Sequence, residues 1–202
     1  MIAFYLGKGV TVKFRKVFDT TEELGSWYDN KYEEMDGCWQ TPREEVEAHL
    51  DALGVESDPE KLLLDIGCGD GSFITIAGER VRAVGIEVSQ YCINNRVKGT
   101  NVFLMSAEEM YFNKFFDFIV SMGSLEHTVD IEKALLEIAY YLKTGGKFLF
   151  YNPNELWTHE DQPNERTATD EEWVELIEAG GELVITNAER MGNNTRFIGT
   201  RI

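Results

Sequence analysis

The run Leu62-Leu63-Leu64-Asp65-Ile66-Gly67-Cys68-Gly69-Asp70-Gly71 passes from an apolar stretch with a single aspartate into three glycines at alternate positions. An unalternating apolar run bounded by glycine reads as a strand buried on both faces. Glycine lets the chain turn tightly after such a strand and approach a ligand closely, and a helix opening near Ser72 would present free N–H groups in its first turn. The dinucleotide-binding pattern G-x-G-x-x-G has a different spacing from the G-x-G-x-G found here, so a nicotinamide cofactor is disfavoured. Glu87 closes the later run Ala83-Val84-Gly85-Ile86-Glu87, at the end of which an acid can accept hydrogen bonds from both hydroxyls of a ribose.

The remainder of the chain extends this alternation. Apolar runs recur at Val102 to Met105, Phe116 to Met122 and Lys147 to Tyr151, separated by helical stretches, which is the pattern of a parallel sheet. Between the last two, a helix capped by Asp130 carries Ile131, Leu135, Ile138 and Leu142 on one face and is expected to end at Gly145. A last helix opens with a capping box at Thr169 and Glu172, and the segments 182–186 and 195–200 flank Gly192-Asn193-Asn194 as an antiparallel hairpin. The fold class expected is therefore α/β, a Rossmann-like, doubly wound sheet of seven mostly parallel strands ending in that hairpin. Before it, a capping box at Thr20 and Glu23 opens a helix whose stripe is Leu24, Trp27, Tyr28, Tyr32 and Met35. Thr41, with Pro42 at the first helical position, opens a second helix that carries Val46, Leu50 and Leu53 inward, stops at Gly54, and leaves His49 on the surface.

Charge and cysteine usage narrow the partners and the compartment. The 202 residues, 43% of them hydrophobic, suit one compact unit with a sizeable core. Thirty-six acids against 19 Lys and Arg give a net charge of -17, so most of the surface repels phosphate backbones and nucleic acid is disfavoured as a partner. Lys8, Lys13, Arg15 and Lys16 precede the first acid, Asp19, in an arm where Val10, Val12 and Phe14 alternate with polar residues as in a strand or hairpin. The apolar start is interrupted by Lys8, too early for a signal sequence, and no span approaches the length of a membrane helix. Cys38, Cys68 and Cys92 form no C-x-x-C pair and are expected as free thiols, which suits the cytoplasm.

Read in order, five blocks resemble the class I S-adenosylmethionine-dependent methyltransferases, in particular the small UbiG-like and type 11 group. They are Leu64 to Gly71, Val84 to Ser89, Ser106-Ala107-Glu108-Glu109-Met110, Phe116 to Met122 continuing through Leu125-Glu126-His127, and Leu142-Lys143-Thr144-Gly145-Gly146-Lys147 where the family has LKPGG. The resemblance covers residues 60 to 152. It implies that S-adenosylmethionine is the cofactor, with Asp65, Gly67 and Gly69 at its methionine part, Glu87 at its ribose, Ser106, Ala107 and Glu108 at its adenine, and Cys68 and Met122, the latter at the carboxyl edge of its strand, as further cofactor-binding residues. The family usually has Asp at the position of Ser106, a departure that leaves the adenine amino group to Glu108 or to backbone. Residues 1–59 are then an arm with lid helices, and 60–202 the S-adenosylmethionine-binding domain.

Methyl transfer from a sulfonium is an in-line displacement, so the protein chiefly aligns the acceptor and excludes water, and a base matters only for acceptors that carry a proton. His127, beside the cofactor block, and His159, in the loop after the fifth strand, are the candidate catalytic residues. His127 has three readings: base, metal ligand or pocket wall. The acceptor pocket of the family gathers Tyr28, Tyr32, Trp39, Arg43 and Trp157, an aromatic wall suited to a small molecule. Two alternatives remain beside a small-molecule methyltransferase, monomeric or homodimeric. One is a non-catalytic S-adenosylmethionine-binding protein. The other is a metal-dependent RNA 3'-end 2'-O-methyltransferase, whose Glu-x-x-Glu-His pattern lacks its first glutamate here because Gly123 stands in its place.

Overall fold

The computed structural model describes residues 2–6, 10–15, 17–95, 101–157 and 163–202. Its frame is a seven-stranded sheet in the order β5 (Val102–Leu104), β4 (Arg82–Glu87), β3 (Leu62–Ile66), β6 (Phe116–Met122), β7 (Leu142–Pro153), β10 (Asn194–Arg201) and β9 (Leu183–Met191). The first five strands are parallel, while β10 is antiparallel to both β7 and β9. This is the expected seven-stranded sheet with its terminal hairpin.

Alternation along the central strands builds two cores, one on each face. Leu64, Phe148 and Phe150 point to the side covered by α5 (Ile131–Tyr141) and α6 (Asp170–Glu178), where Ile138, Trp173 and Leu176 are buried. Leu63, Phe118, Val120 and Leu149 point to the other, against Val46, Leu50 and Leu53 of α2 (Arg43–Leu53) and Phe73 and Ile76 of α3 (Ser72–Ala77). Burial on both faces explains why these strands read as unbroken apolar runs.

The strand order reverses at β3, whose neighbours β4 and β6 come from opposite halves of the chain order. The carboxyl ends of β3, β4 and β6 therefore open into a crevice, the position at which open α/β sheets bind ligands. Over this crevice lies α1 (Thr21–Met35), with its capping box at Thr20 and Glu23 in place. A second, three-stranded sheet joins β1 (Ile2–Leu6), β2 (Val10–Arg15) and β8 (Glu165–Thr167), so the basic arm is a hairpin that pairs with the segment after β7. Asn164 fastens the exit of the arm: its Oδ1 accepts the N–H groups of Val17 and Phe18 at 2.7 and 2.9 Å.

Several expectations are corrected. Cys38 and Cys92 form a disulfide, their Cα atoms 5.9 Å apart, because the turn after α1 packs on α4 (Gln90–Asn95); Cys68 alone stays outside a disulfide, and the inference of a reducing compartment from three thiols loses its footing. His49 is buried, since it continues the inward stripe of Val46, Leu50 and Leu53, and its ring meets Tyr151 edge-on at 5.2 Å. Met35 is exposed at the end of the α1 stripe. Pro42 caps α2 rather than beginning it. The α5 helix ends at Tyr141, and β7 begins at Leu142 without waiting for Gly145. Among the described residues, no helix is long and apolar enough to cross a membrane.

Candidate functional site

The crevice is a cavity of about 340 Å³ walled by the ends of β3, β4 and β6, by α1, and by the loops after Met35 and after β7. Its floor is the glycine loop. Gly67 and Gly69 have φ of 68° and 52°, the left-handed region in which a side chain is strained. A Cβ on Gly67 would lie 2.4 Å from Ser124 Cβ, and one on Gly69 would lie 2.6 Å from the carbonyl oxygen of Trp39. The loop is thus pressed between the turn after β6 and the roof, and only glycine fits at both points.

Glu87 ties this loop to β4. Its Oε2 accepts the N–H of Gly69 at 3.0 Å, while Oε1 accepts those of Val88 and Ser89 at 2.8 and 3.0 Å. Burial raises its pKa, and these three N–H groups pull it back toward the ionised form. Asp65, by contrast, is buried with no hydrogen-bond partner for Oδ1. Burial first, then the charges of Glu87 and Asp70, push its carboxyl well above the usual carboxylate range. An orphaned carboxylate beside a tight glycine loop is a binding position for a cationic group and its donors, because an unmet buried acceptor is costly. The arrangement fits a ligand with an ammonium near Asp65 and hydroxyls near Glu87.

The opposite wall carries a second acidic group. Glu126 lies in the short 3-10 turn Leu125–His127, buried, with Oε2 unpartnered. Burial pushes its pKa up to about 8, with a further contribution from Glu165. His127 Nδ1 lies 3.0 Å from the carbonyl oxygen of Pro163, which makes Nδ1 the protonated nitrogen and leaves Nε2 as an acceptor, 3.8 Å from Glu126 Oε1. Burial lowers the His127 pKa to about 4, so the ring is neutral near neutral pH. Arg166 of β8 holds this turn by donating to the carbonyl oxygens of Glu126, Thr128 and Val129.

Of the residues singled out in the sequence, Asp65, Gly67, Cys68, Gly69, Glu87, Ser106, Ala107, Glu108, Met122, Tyr28, Tyr32, Trp39, Trp157 and His127 all line this one cavity. Tyr28 and Tyr32 stack with centroids 5.5 Å apart, and Tyr28 meets His127 at 6.2 Å. The Tyr28 hydroxyl is held in its neutral form by burial and then by the charges of Glu126, Glu87 and Glu165. Glu108 is engaged elsewhere: Oε1 accepts the N–H groups of Val129 and Asp130 at 2.7 and 3.2 Å, and Ser106 Oγ donates to Oε2.

Arg43 does not join the group. It sits on the surface, bridging Glu79 at 2.7 Å and Glu47 at 3.1 Å, because the first turn of α2 faces α3 and solvent rather than the crevice. His159 lies outside the described residues. Lining residues that the sequence reading missed include Glu45, Met105, Tyr151, Glu165 and Asn194. Tyr151 was within reach, since it ends a strand on the ligand side of the sheet. Glu165 stands in a segment with no apolar period, and the pairing of β8 with the arm, together with the hold of Arg166 on the turn after β6, brings it to the cavity.

A family model described as a methyltransferase domain matches residues 39–183. The ubiquinone biosynthesis O-methyltransferase of Rickettsia canadensis (strain McKiel) is 28% identical over 100 residues, 45% of this chain and 42% of that protein. The chain thus spans less than half the length of that relative. Among solved structures, the Burkholderia thailandensis 1,6-didemethyltoxoflavin-N1-methyltransferase, with bound 1,6-didemethyltoxoflavin and S-adenosylhomocysteine, superposes with a TM-score of 0.70 at 15% identity over 98% of each chain. The geranyl diphosphate C-methyltransferase of Streptomyces coelicolor A3(2), in complex with Mg2+, geranyl diphosphate and S-adenosylhomocysteine, gives 0.69 at 14% identity over 93% of this chain and all of the other. At such identities the two structures speak for the fold, whereas the family model spans most of the chain and takes in the glycine loop, Glu87 and the 3-10 turn. The chain belongs to this methyltransferase-domain family, the class I S-adenosylmethionine-dependent methyltransferases.

Proposed function

We propose that the protein transfers a methyl group to a small-molecule acceptor held between α1 and the turn Leu125–His127. The observation that carries this reading is the juxtaposition, in one cavity, of the unpartnered Asp65 carboxylate with the Glu87-braced glycine loop. Asp65, Gly67, Cys68 and Gly69 hold the methionine part of S-adenosylmethionine, and Glu87 the ribose hydroxyls. Ser106 and Ala107 form the wall on the adenine side, with Glu108 setting the position of that wall by bracing the loop before α5, and Met122 lines the cavity at the carboxyl end of β6. When bound, this cofactor supplies an electrophilic methyl on a sulfonium.

The chain's own contribution is alignment and exclusion of water. Tyr28, Tyr32, Trp39 and Trp157 enclose the acceptor, and the arm with α1 acts as the lid, whereas α2 belongs to the core of the sheet. His127 serves as a wall of the acceptor pocket: its Nδ1–H is committed to Pro163, and burial makes its ring a weak base. The two structural neighbours act on small molecules by their names, which supports an acceptor of that size.

Mass spectrometry of ligand retained through purification tests the reading. S-adenosylmethionine or S-adenosylhomocysteine is expected in stoichiometric amount after gentle isolation, or on incubation and desalting. Retention of a nicotinamide dinucleotide in their place would overturn it.

A further inference from the structure

The charge of the cavity wall has a sign. Six carboxylates line it, those of Glu45, Asp65, Glu87, Glu108, Glu126 and Glu165, and among the described residues no Lys or Arg does. Asp65 and Glu87 are accounted for by the cofactor, Glu108 by its own backbone partners, and Glu45 lies at the edge near His49. Glu126 and Glu165 are left on the acceptor side; Glu165 belongs to β8, and Glu126, on the turn beside His127, has a buried oxygen, Oε2, that no protein donor meets. Its side chain is only 6% exposed. Around it stand the neutral imidazole of His127 and the Tyr28 ring stacked on Tyr32, faces that attract a cation.

We propose that the acceptor is a protonated amine, bound with its nitrogen at Glu126 Oε2 and its body against Tyr28 and Tyr32. This rests on the methyltransferase reading above and specifies its substrate class. A carboxylate or phosphate would meet a wall that, among the described residues, no Lys or Arg lines, and a buried charge left unpaired is strongly disfavoured. An alcohol would satisfy Glu126 but leave the negative field of the wall uncompensated. An ammonium does both.

The same contact handles the proton. An ammonium has no lone pair with which to accept a methyl group, so one N–H proton must leave first, and it passes to Glu126 Oε2. The carboxyl is suited to receive it, since burial already favours its protonated form. The neutral amine then forms the new N–C bond with its lone pair as the sulfur–methyl bond breaks and leaves its electron pair on sulfur. The product nitrogen again bears one positive charge, and the proton stays on Glu126 until the site opens.

The test uses the full chain saturated with S-adenosylhomocysteine and probes matched in shape: 2-phenylethylamine, tyramine and putrescine as amines, 2-phenylethanol and 3-phenylpropionate as neutral and anionic counterparts. Calorimetry is expected to show at least one amine binding about tenfold or more tightly than the alcohol and carboxylate, and Glu126→Gln is expected to remove that preference. Carbon-13 spectra of glutamate-labelled protein provide a readout independent of turnover: amine addition should move the Glu126 carboxyl signal toward its ionised position. Binding of the carboxylate in preference to the amines, absence of binding by every amine, or an amine preference that survives in Glu126→Gln would overturn the proposal. Failure of S-adenosylhomocysteine itself to bind would instead remove the methyltransferase site on which the proposal stands.

Discussion

Glu87 Oε2 accepts the backbone N–H of Gly69 at 3.0 Å, which joins the end of β4 to the loop that follows β3. The acid and the glycine loop, distant in sequence, are one hydrogen-bonded unit, and the same carboxylate also turns the chain through Val88 and Ser89 into α4. Whatever disturbs the loop therefore disturbs the ribose position as well.

Gly69→Ala tests that coupling. The left-handed backbone costs an alanine about 1–2 kcal/mol. Its Cβ would in addition press on the Trp39 carbonyl oxygen at 2.6 Å, so the loop or the roof must shift. Calorimetry is expected to show S-adenosylhomocysteine affinity reduced by about tenfold or more, and thermal unfolding a lower melting temperature. Unchanged values of both would mean that the loop is not held as described.

The pH dependence of stability singles out Glu126. Its pKa is about 8 in the folded chain against a usual value of 4.5. Between these limits the unfolded chain has lost a proton that the folded chain keeps, so the unfolded state binds fewer protons and stability falls as pH rises. In the ligand-free protein, Glu126→Gln removes this slope, and its melting temperature should gain on that of the parent from about pH 5 to about pH 8 and then hold level. A difference between the two that is flat across the range would contradict the burial of an ionisable group at this position.

Reduction tests the tie between the turn after α1 and α4. The Cys38–Cys92 disulfide closes a separation of 54 residues, for which loop entropy alone gives about 4 kcal/mol of stabilisation. Addition of a reductant is expected to lower the melting temperature by several degrees, with Cys38→Ser unaffected by the same treatment. Thiol labelling that finds three free cysteines in the unreduced, unfolded protein would rule the bond out.

The amide of Asn164 is the hinge between the arm and the body. Asn164→Asp keeps the Oδ1 acceptor for Val17 and Phe18, whereas Asn164→Ala leaves two N–H groups unmet at a cost of about 1–3 kcal/mol each. Limited proteolysis should release the arm faster from the alanine variant than from the aspartate variant, while S-adenosylhomocysteine affinity is retained in both. Loss of that affinity with the arm would show that residues 1–18 belong to the cofactor site rather than to its lid.

Local chemistry made much of this legible in the sequence. The capping boxes at Thr20 and Thr169 bound their helices where expected, and the two-faced burial of β3, β6 and β7 wrote itself as unbroken apolar runs. The glycine spacing and Glu87 located the floor of the cavity before its walls were known. What stayed hidden depends on packing between distant segments. The partner of Cys38 is set by the docking of α1 on α4, and Glu165 reaches the cavity through the pairing of β8 with the arm and the hold of Arg166 on the turn after β6. His49 was legible and misread: it stands three residues after Val46 and four before Leu53, on the inward face, where residue type suggested a surface position and periodicity did not. Arg43 was placed by analogy with a pocket, while two glutamates within reach on α2 and after α3 drew it to the surface.

Calorimetric titration of the full chain and of Glu87→Ala with S-adenosylhomocysteine and with NAD is the most direct measurement of the cofactor site. A charged acceptor for ribose hydroxyls contributes about 1.5–3 kcal/mol, so the parent should bind S-adenosylhomocysteine with no comparable signal from NAD, and Glu87→Ala should bind it at least about tenfold more weakly. Tight binding of NAD with none of S-adenosylhomocysteine, or an unchanged dissociation constant in the variant, would contradict the site built on Glu87 and the glycine loop.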